Sequence, residues 1–378
     1  MNDWETLLAS SEARLRRQGR FVVADLLQPH RVLSTSFKNG GQRDELRHLV
    51  NHQSCEGAGH LARYDEIHEQ GQSAYHEAVC AELAVPASAT ALMGTAANMN
   101  YLAVVTETDG PVEVVAAVTG GVQTNAACAG DPAGWREGPD GTEKALPLHG
   151  TINTLLLVNT PLTAGTLARA VVTMTEGKSA ALQRLAVASC YSSDLATGTG
   201  TDQYCLAAPL EGAFTLTSAS PHTKLGELIG LAVRNATLEA LRWQNGLEPS
   251  YTRGLFHALG RHGLDEKTFF DDIAEHLSEQ DLGLLRKNSK AVLYEPLVGA
   301  AAHALATVMD RIRHGTLPQS VMRDALVQQA AGLATSVAAQ PERWSQFRQT
   351  LHAVPEGGLK ALVLAAVALG WRSKWPSR

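Results

Sequence analysis

The block Thr197-Gly198-Thr199-Gly200-Thr201-Asp202 alternates glycine with threonine and ends in a carboxylate. Glycines let a backbone approach a ligand closely and turn N–H groups toward it. The hydroxyls add donors and acceptors, and Asp202 adds a fixed charge. Such a loop can hold an amide carbonyl and stabilise its oxyanion, or bind phosphate. The plain alternative is a tight turn between two strands. A second block, His222-Thr223-Lys224-Leu225-Gly226-Glu227, stands at the entrance of an amphipathic helix. His222 there fits a general base oriented by Glu227, or a metal ligand. Equally, Thr223 fits an N-cap and Glu227 a first-turn acid favoured by the helix dipole.

Other chemistries are poorly served. Gly-x-x-x-x-Gly-Lys-Ser/Thr and Gly-x-Ser-x-Gly are absent, so neither a phosphate loop nor a hydrolase elbow is indicated. Cleavage before Thr151, Thr199 or Thr201 would create an N-terminal threonine nucleophile, but an uncut chain is the expectation. His48 and His52 are four apart, as a zinc-binding helix pair would be, and Cys55, His60, His76 and Cys80 are near in sequence. No His-Glu-x-x-His occurs, and a solvated polar face is the expected reading. His60, His68 and His76 recur every eight residues, a drift of about 80° around a helix, too wide for one tight site.

Positioning elements are legible around these blocks. Thr154 to Val158 is a continuous apolar run, expected of a strand buried on both faces. Pro161, Thr163 and Gly165 mark a helix entry with Thr163 as N-cap. Leu167, Val171, Met174, Leu182 and Leu185 then keep helical spacing. Ala186 to Cys190 and Tyr204 to Ala208 read as strands. Leu225 to Trp243 reads as a helix stopped at Asn245-Gly246. Tyr101 to Thr106 and Val112 to Val118 flank Asp109-Gly110-Pro111, a hairpin signal. That hairpin argues for partly antiparallel pairing. The expected fold is mixed α+β, with a mixed sheet and packed helices. The segment up to Glu82 mixes charge with histidine, and Gly134 to Pro147 reads as a protruding loop. After Glu248-Pro249 only helical patterns remain: Glu266 to Leu277, Pro296 to His314, Pro318 to Ala338, Trp344 to His352 and Gly358 to Leu369. The expected domains are therefore 1–247 and an all-helical 248–378.

The chain has 378 residues, 44% of them apolar, enough for more than one core. Its formal charge of −6 disfavours a nucleic-acid partner. The start, Met1-Asn2-Asp3-Trp4-Glu5, lacks the basic and apolar regions of a signal peptide. The longest apolar run, Leu359 to Trp371, is shorter than the about 20 residues a bilayer span needs and contains Lys360. The five cysteines are scattered, without a Cys-x-x-Cys pair. A cytoplasmic protein with reduced thiols and no membrane partner is expected.

Several blocks fall in register with one family. They are Asn39-Gly40-Gly41, Gly121-Val122-Gln123-Thr124-Asn125-Ala126, Ala129-Gly130-Asp131-Pro132 and Gly150-Thr151-Ile152-Asn153. Further on come Asn159 to Leu162, Glu176 with Lys178, Gly198 to Asp202 and His222 to Glu227. In this order, over about residues 30 to 245, the chain resembles the adenosylcobinamide amidohydrolases of corrinoid salvage. The resemblance implies hydrolysis of the amide joining aminopropanol to the corrinoid, with adenosylcobyric acid and 1-amino-2-propanol as products. It implies a small-molecule corrinoid substrate; no cofactor is assigned, and a divalent metal stays open. It does not reach the C-terminal helices.

Amide hydrolysis needs an activated water or nucleophile, oxyanion donors and an acid for the leaving amine. Within that implied reaction, His222 is the expected base or acid, positioned by Glu227. Thr199 and Thr201 would hold the carbonyl, and Asp202 would orient His222 or water. Asn125, Asn153 and Asn159 suit the corrinoid's amide side chains. Asp131, Glu176, Lys178 and Lys224 complete the expected substrate contacts. Two alternatives stay open: a metal-assisted amidohydrolase acting on a related cobamide, and a non-catalytic corrinoid-binding or chaperone module.

Overall fold

The computed structural model describes residues 4–55, 65–67, 69–139, 141–144, 150–355 and 357–375. His60, His68 and His149 lie outside the described residues. The chain divides into two compact units, Met1–Tyr191 with Leu195–Gly246, and Ser192–Asp194 with Leu247–Arg378. It is a mixed α/β protein with mixed sheets and a run of C-terminal helices.

Two sheets stack face to face in the first unit. One has the order β1 (Glu5–Ala9), β2 (Ala13–Gln18), β3 (Phe21–Leu26), β6 (His48–Gln53), β7 (Thr90–Thr95). The other runs β5 (Gly41–Arg43), β4 (His30–Ser34), β15 (Gln203–Pro209), β13 (Ile152–Val158), β9 (Val112–Gly120), β8 (Ala103–Asp109). Pairing is antiparallel except for β6 with β7 and β13 with β15. The expected hairpin is present, with Asp109 opposite Val112 and Gly110 at φ 56.

Strand alternation explains the layers. Leu15, Val22, Ala24 and Leu49 of the first sheet meet Val115, Ala117, Leu155, Leu157 and Cys205 of the second in one buried cluster. Outward-facing Phe21, Val23, Val50 and Leu92 instead pack against Tyr75 and Val79 of α1 (Gln72–Leu83). On the far side of the second sheet lie α2 (Ala164–Arg184) and α3 (Lys224–Asn245), packed on each other, with α3 also packed on β8 and β9. Thr163 accepts a hydrogen bond from the Thr166 amide and Gly246 ends α3 in the left-handed region, both as expected. The result is four layers, α/β/β/α.

The N-terminal segment departs from its sequence reading. Its charge hides six strands, because Arg14 and Arg16 face outward while Leu15 faces the core. His48 and His52 sit on β6, not on a helix. Four residues of strand separate them by about 13 Å, too far for a shared zinc. Nor do they form a solvated face. His48 bonds the Asp25 carboxylate at 2.9 Å, while His52 is buried, bonded to Tyr75 at 2.7 Å and stacked on Phe21. Among the described residues no cluster of three or more His, Cys, Asp and Glu side chains is arranged to hold a metal ion.

Ala186 to Cys190 is not a strand. Ala186 takes a left-handed φ of 49° after α2, and only an isolated Ala188–Leu195 bridge follows. The segment Gly134 to Pro147 carries a small ladder, β11 (Trp135–Gly138) with β12 (Gly141–Lys144); its end lies outside the described residues. Two further short strands, Ala126–Ala127 (β10) and Gly198–Thr199 (β14), pair antiparallel.

Asp25 gives a stability test. Burial would raise its pKa, but hydrogen bonds from His48, Arg16 and Arg14 outweigh that and bring it down to about 2. A depressed carboxylate pKa stabilises the fold above its unfolded value of 3.8, and that stabilisation is lost as pH falls through about 2. Asp25→Asn is expected to cost about 2 kcal/mol at pH 7. Denaturant melts of variant and wild type should converge as pH falls toward 2.

The second unit is all helical in its continuous part. It comprises α4 (Pro249–Thr252), α5 (Leu255–Leu259), α6 (Phe269–Asp272), α7 (Glu279–Lys287), α8 (Ser289–Leu293), α9 (Pro296–Arg313), α10 (Met322–Ala338), α11 (Trp344–His352) and α12 (Gly358–Ser373). α10 is central, packed against α9, α11 and α12 through Val327, Leu333, Phe347, Val363 and Val367. The expected helix over Glu266 to Leu277 is instead the short α6 followed by a 3₁₀ turn, Ile273–His276. Among the described residues no helix is long and apolar enough to cross a membrane.

Candidate active site

Parallel strands β13 and β15 begin at the same end of the second sheet, and α2 connects them by crossing over its outer face. Asp202 immediately precedes β15. Its Oδ1 accepts hydrogen bonds from the Ile152 amide at 2.9 Å and the Thr199 hydroxyl at 2.6 Å. Its Oδ2 accepts from the Thr199 amide at 3.1 Å and pairs with the Lys178 ammonium of α2. The pair is largely buried, with side-chain exposures of 15% for Lys178 and 18% for Asp202. Gly198 is fitted to it: a Cβ there would stand 2.5 Å from Asp202 Oδ2 and 2.8 Å from Lys178 Nζ.

The threonine–glycine loop is tied down on its other side by Asn125, which is fully buried. Asn125 Nδ2 donates to the Gly150 carbonyl at 2.8 Å and to the Thr201 hydroxyl at 3.3 Å, and its Oδ1 accepts from Tyr191 at 2.8 Å. Gly150 needs its glycine, with φ +124 and a would-be Cβ 2.9 Å from the Gly121 carbonyl. Thr151 donates to the Thr201 carbonyl at 2.6 Å. Asn125→Ala removes three hydrogen bonds made by a fully buried side chain. It is expected to lower unfolding free energy by about 2–3 kcal/mol, measurable by denaturant melts.

A chamber of about 180 Å³ opens on the helix side of the sheet, lined by Lys178, Asp202, Thr154, Met174, Tyr204 and Thr35, among others. Burial pushes the Tyr204 phenol up, with Cys205 adding to it, so it stays a neutral donor near pH 7. A larger hollow, about 540 Å³, lies in the helical unit beside Trp371 and Trp375. The smaller chamber is the better candidate because the threonine–glycine loop and the buried ion pair meet there.

The other expected site residues are dispersed. Thr199, Thr201, Asp202, Asn125 and Lys178 come together, although the hydroxyl hydrogens of Thr199 and Thr201 are already donated, to Asp202 and Gly150. Asn153 faces the space between the sheets, donating to Asn51 Oδ1 at 2.9 Å and the Gly94 carbonyl at 3.1 Å. Asn159 lies at the far end of β13, its side chain bonded to Pro111 and Glu113 backbone. Asp131 accepts from the Cys128 amide and the Ser189 hydroxyl, and Glu176 is exposed near Arg169.

His222 is exposed just before α3, and Thr223 caps that helix. Glu227 bonds Lys224 at 2.7 Å, not His222. It is the last turns of α3, at Leu241, that pack on Gly120 beside Ile152. The 22-residue helix is about 33 Å long, so the structure does not bring His222 to Asp202. Thr35, Thr154 and Tyr204, which sequence reasoning passed over, line the chamber. Only strand register puts them there, and for Thr154 and Tyr204 the alternation along β13 and β15 was the available signal.

Fold and site together define a four-layered α/β domain with a lysine–carboxylate pair at the head of a parallel strand crossover. A family profile described as adenosylcobinamide amidohydrolase matches residues 6–249. That is well over half of the 378 residues, and the chain belongs to this family. An uncharacterized protein of Methanocaldococcus jannaschii is 30% identical over 267 residues, 66% of this chain and 97% of that protein. The crystal structure of a Pyrococcus horikoshii OT3 protein aligns with 63% of this chain and 82% of its own, at 14% identity and a TM-score of 0.28, too low to carry an argument.

Proposed function

We propose that the protein hydrolyses the amide joining aminopropanol to the corrinoid in adenosylcobinamide, releasing adenosylcobyric acid and 1-amino-2-propanol for corrinoid salvage. The observation that carries this reading is the Lys178–Asp202 pair lining the chamber, inside the family-matched residues. Water adds to the carbonyl carbon and the C–N bond breaks. Lys178 has three N–H donors, of which Asp202 takes one. The others stabilise the developing oxyanion, and Lys178 protonates the departing amine. The proton released by the attacking water restores it. Asp202 is a positioning residue here, since its carboxylate already accepts four bonds. Thr199 and Thr201 fix the loop.

Incubation with adenosylcobinamide, with and without a chelator, followed by mass spectrometry of the products, tests the reading. Adenosylcobyric acid in equal yield under both conditions supports it. Product lost only with chelator indicates metal assistance, and tight corrinoid binding without product indicates a binding module. His222→Ala is expected to turn over at close to the wild-type rate; loss of product in a folded His222→Ala variant would move the chemistry to the entrance of α3.

A further inference from the structure

We propose that the hydroxyls of Thr154 and Tyr204 form the subsite for the alcohol group of the departing amino alcohol, an assignment that rests on the corrinoid reading above. Most polar side chains of the chamber are already engaged. Lys178 and Asp202 hold each other. The Thr35 hydroxyl accepts from the Tyr204 amide at 2.9 Å, and the Thr175 hydroxyl donates to the Val171 carbonyl at 2.9 Å. Gln203 Oε1 accepts from the Gly94 amide at 3.0 Å. Thr154 and Tyr204 line the same chamber, yet neither hydroxyl has a hydrogen-bond partner among the described residues. Thr154 is only 4% exposed. An unpaired hydroxyl at that depth costs about 1–3 kcal/mol unless something in the chamber bonds it.

Strand register sets the two residues side by side. Thr154 of β13 stands opposite Tyr204 of the parallel β15. Their neighbours Asn153 and Cys205 face the space between the sheets, so alternation turns Thr154 and Tyr204 to the helix side, where α2 brings Met174 and Lys178. At the head of the strands Asp202 bonds the Ile152 amide. Thr154 and Tyr204 each follow that contact by two residues, a step of about 7 Å along the same face. Thr154 is buried and the Lys178–Asp202 pair partly exposed, so the hydroxyls lie deeper. A chamber of about 180 Å³ has room for a few waters or a small amino alcohol, not for a corrin ring. The substrate therefore enters by the free end of its amide arm, and that end carries the alcohol. Its carbonyl and alcohol oxygens are five bonds apart, about 6 Å when extended. With the carbonyl on the Lys178 ammonium, the alcohol reaches Thr154 and Tyr204, donating to one hydroxyl and accepting from the other.

Two probes test the subsite: adenosylcobinamide, and the propylamide of adenosylcobyric acid, which lacks only the alcohol oxygen. Wild type is expected to favour adenosylcobinamide by about ten-fold or more in kcat/KM, since the analogue leaves buried hydroxyls unpaired. Thr154→Val and Tyr204→Phe should each lower kcat/KM on adenosylcobinamide and leave the propylamide nearly unaffected, so the preference collapses. Thr154→Val deletes a hydroxyl without a protein partner, so its denaturant midpoint should not fall. Binding of both amides, followed by quenching of tryptophan fluorescence, reads the subsite without turnover. A binding preference that is lost in Thr154→Val supports the subsite even in a protein that forms no product, whereas absence of product from wild type overturns only the hydrolytic reading. Equal handling of the two amides by wild type overturns the subsite, as does a preference that both variants keep. An equal loss on both amides in folded variants also overturns it, and would place these hydroxyls at the scissile bond.

Discussion

Asp202→Asn is expected to lower turnover by about 10²-fold or more, while the KM for adenosylcobinamide moves little. The amide keeps the size of the carboxylate and one acceptor oxygen, but loses the charge that holds Lys178 at the chamber wall. It also introduces an N–H₂ facing donors from Ile152 or Thr199. Lys178→Met removes the ammonium itself and should fall by a similar or larger factor. The double variant should be little worse than the poorer single one, because the two groups act as a unit. Additive losses, or near-normal turnover in both folded single variants, would remove the pair from the mechanism. Steady-state kinetics, with circular dichroism as a folding control, decide the matter.

Gly198→Ala should be nearly as damaging, through one methyl group. The new Cβ would lie 2.5 Å from the Asp202 carboxylate and 2.8 Å from the Lys178 ammonium, so the pair or the strand β14 must shift. Backbone φ at Gly198 lies outside the left-handed region, so the cost is steric. Overpacking of this kind costs about 1–3 kcal/mol. At this position the displacement acts directly on the proposed donor, and about a 10²-fold loss of turnover is expected, since an ångström of misplacement suffices for that. Activity assays beside melting curves separate the effects: a folded variant with normal turnover would show that the pair tolerates movement.

Much of this architecture was readable where local signals and tertiary environment agree. Thr154 to Val158 looked buried on both faces and is, because β13 is interior in its sheet with a second sheet and helices on its two sides. Thr163 and Thr223 read as caps and bond their helices' first amides. The strands before Gln53 were missed because arginines mask the period-two pattern of β2. His48 and His52 were misread because four-residue spacing means one thing on a helix and another on a strand. In the site, the threonine–glycine loop was legible from its composition. Its partnership with Lys178 was not, since residues 24 apart meet only through the crossover geometry. His222 and Glu227 invited pairing by adjacency, yet a nearer cation, Lys224, takes the carboxylate. Asn153 had the right chemistry for a ligand but the wrong face of its strand.

Strand β15 lies between β4 and β13, partners drawn from opposite ends of the preceding sequence. The second sheet therefore has a gap in its middle until Pro209 has been added to the growing chain. Until then β4 and β13 each present an unpaired edge, the kind of surface that recruits strands from other molecules. The segment that fills the gap also carries Asp202 at its head. Completion of the sheet and assembly of the Lys178 pair are one event, so a chain that stalls before it is both sticky and without the pair on which the proposed chemistry depends.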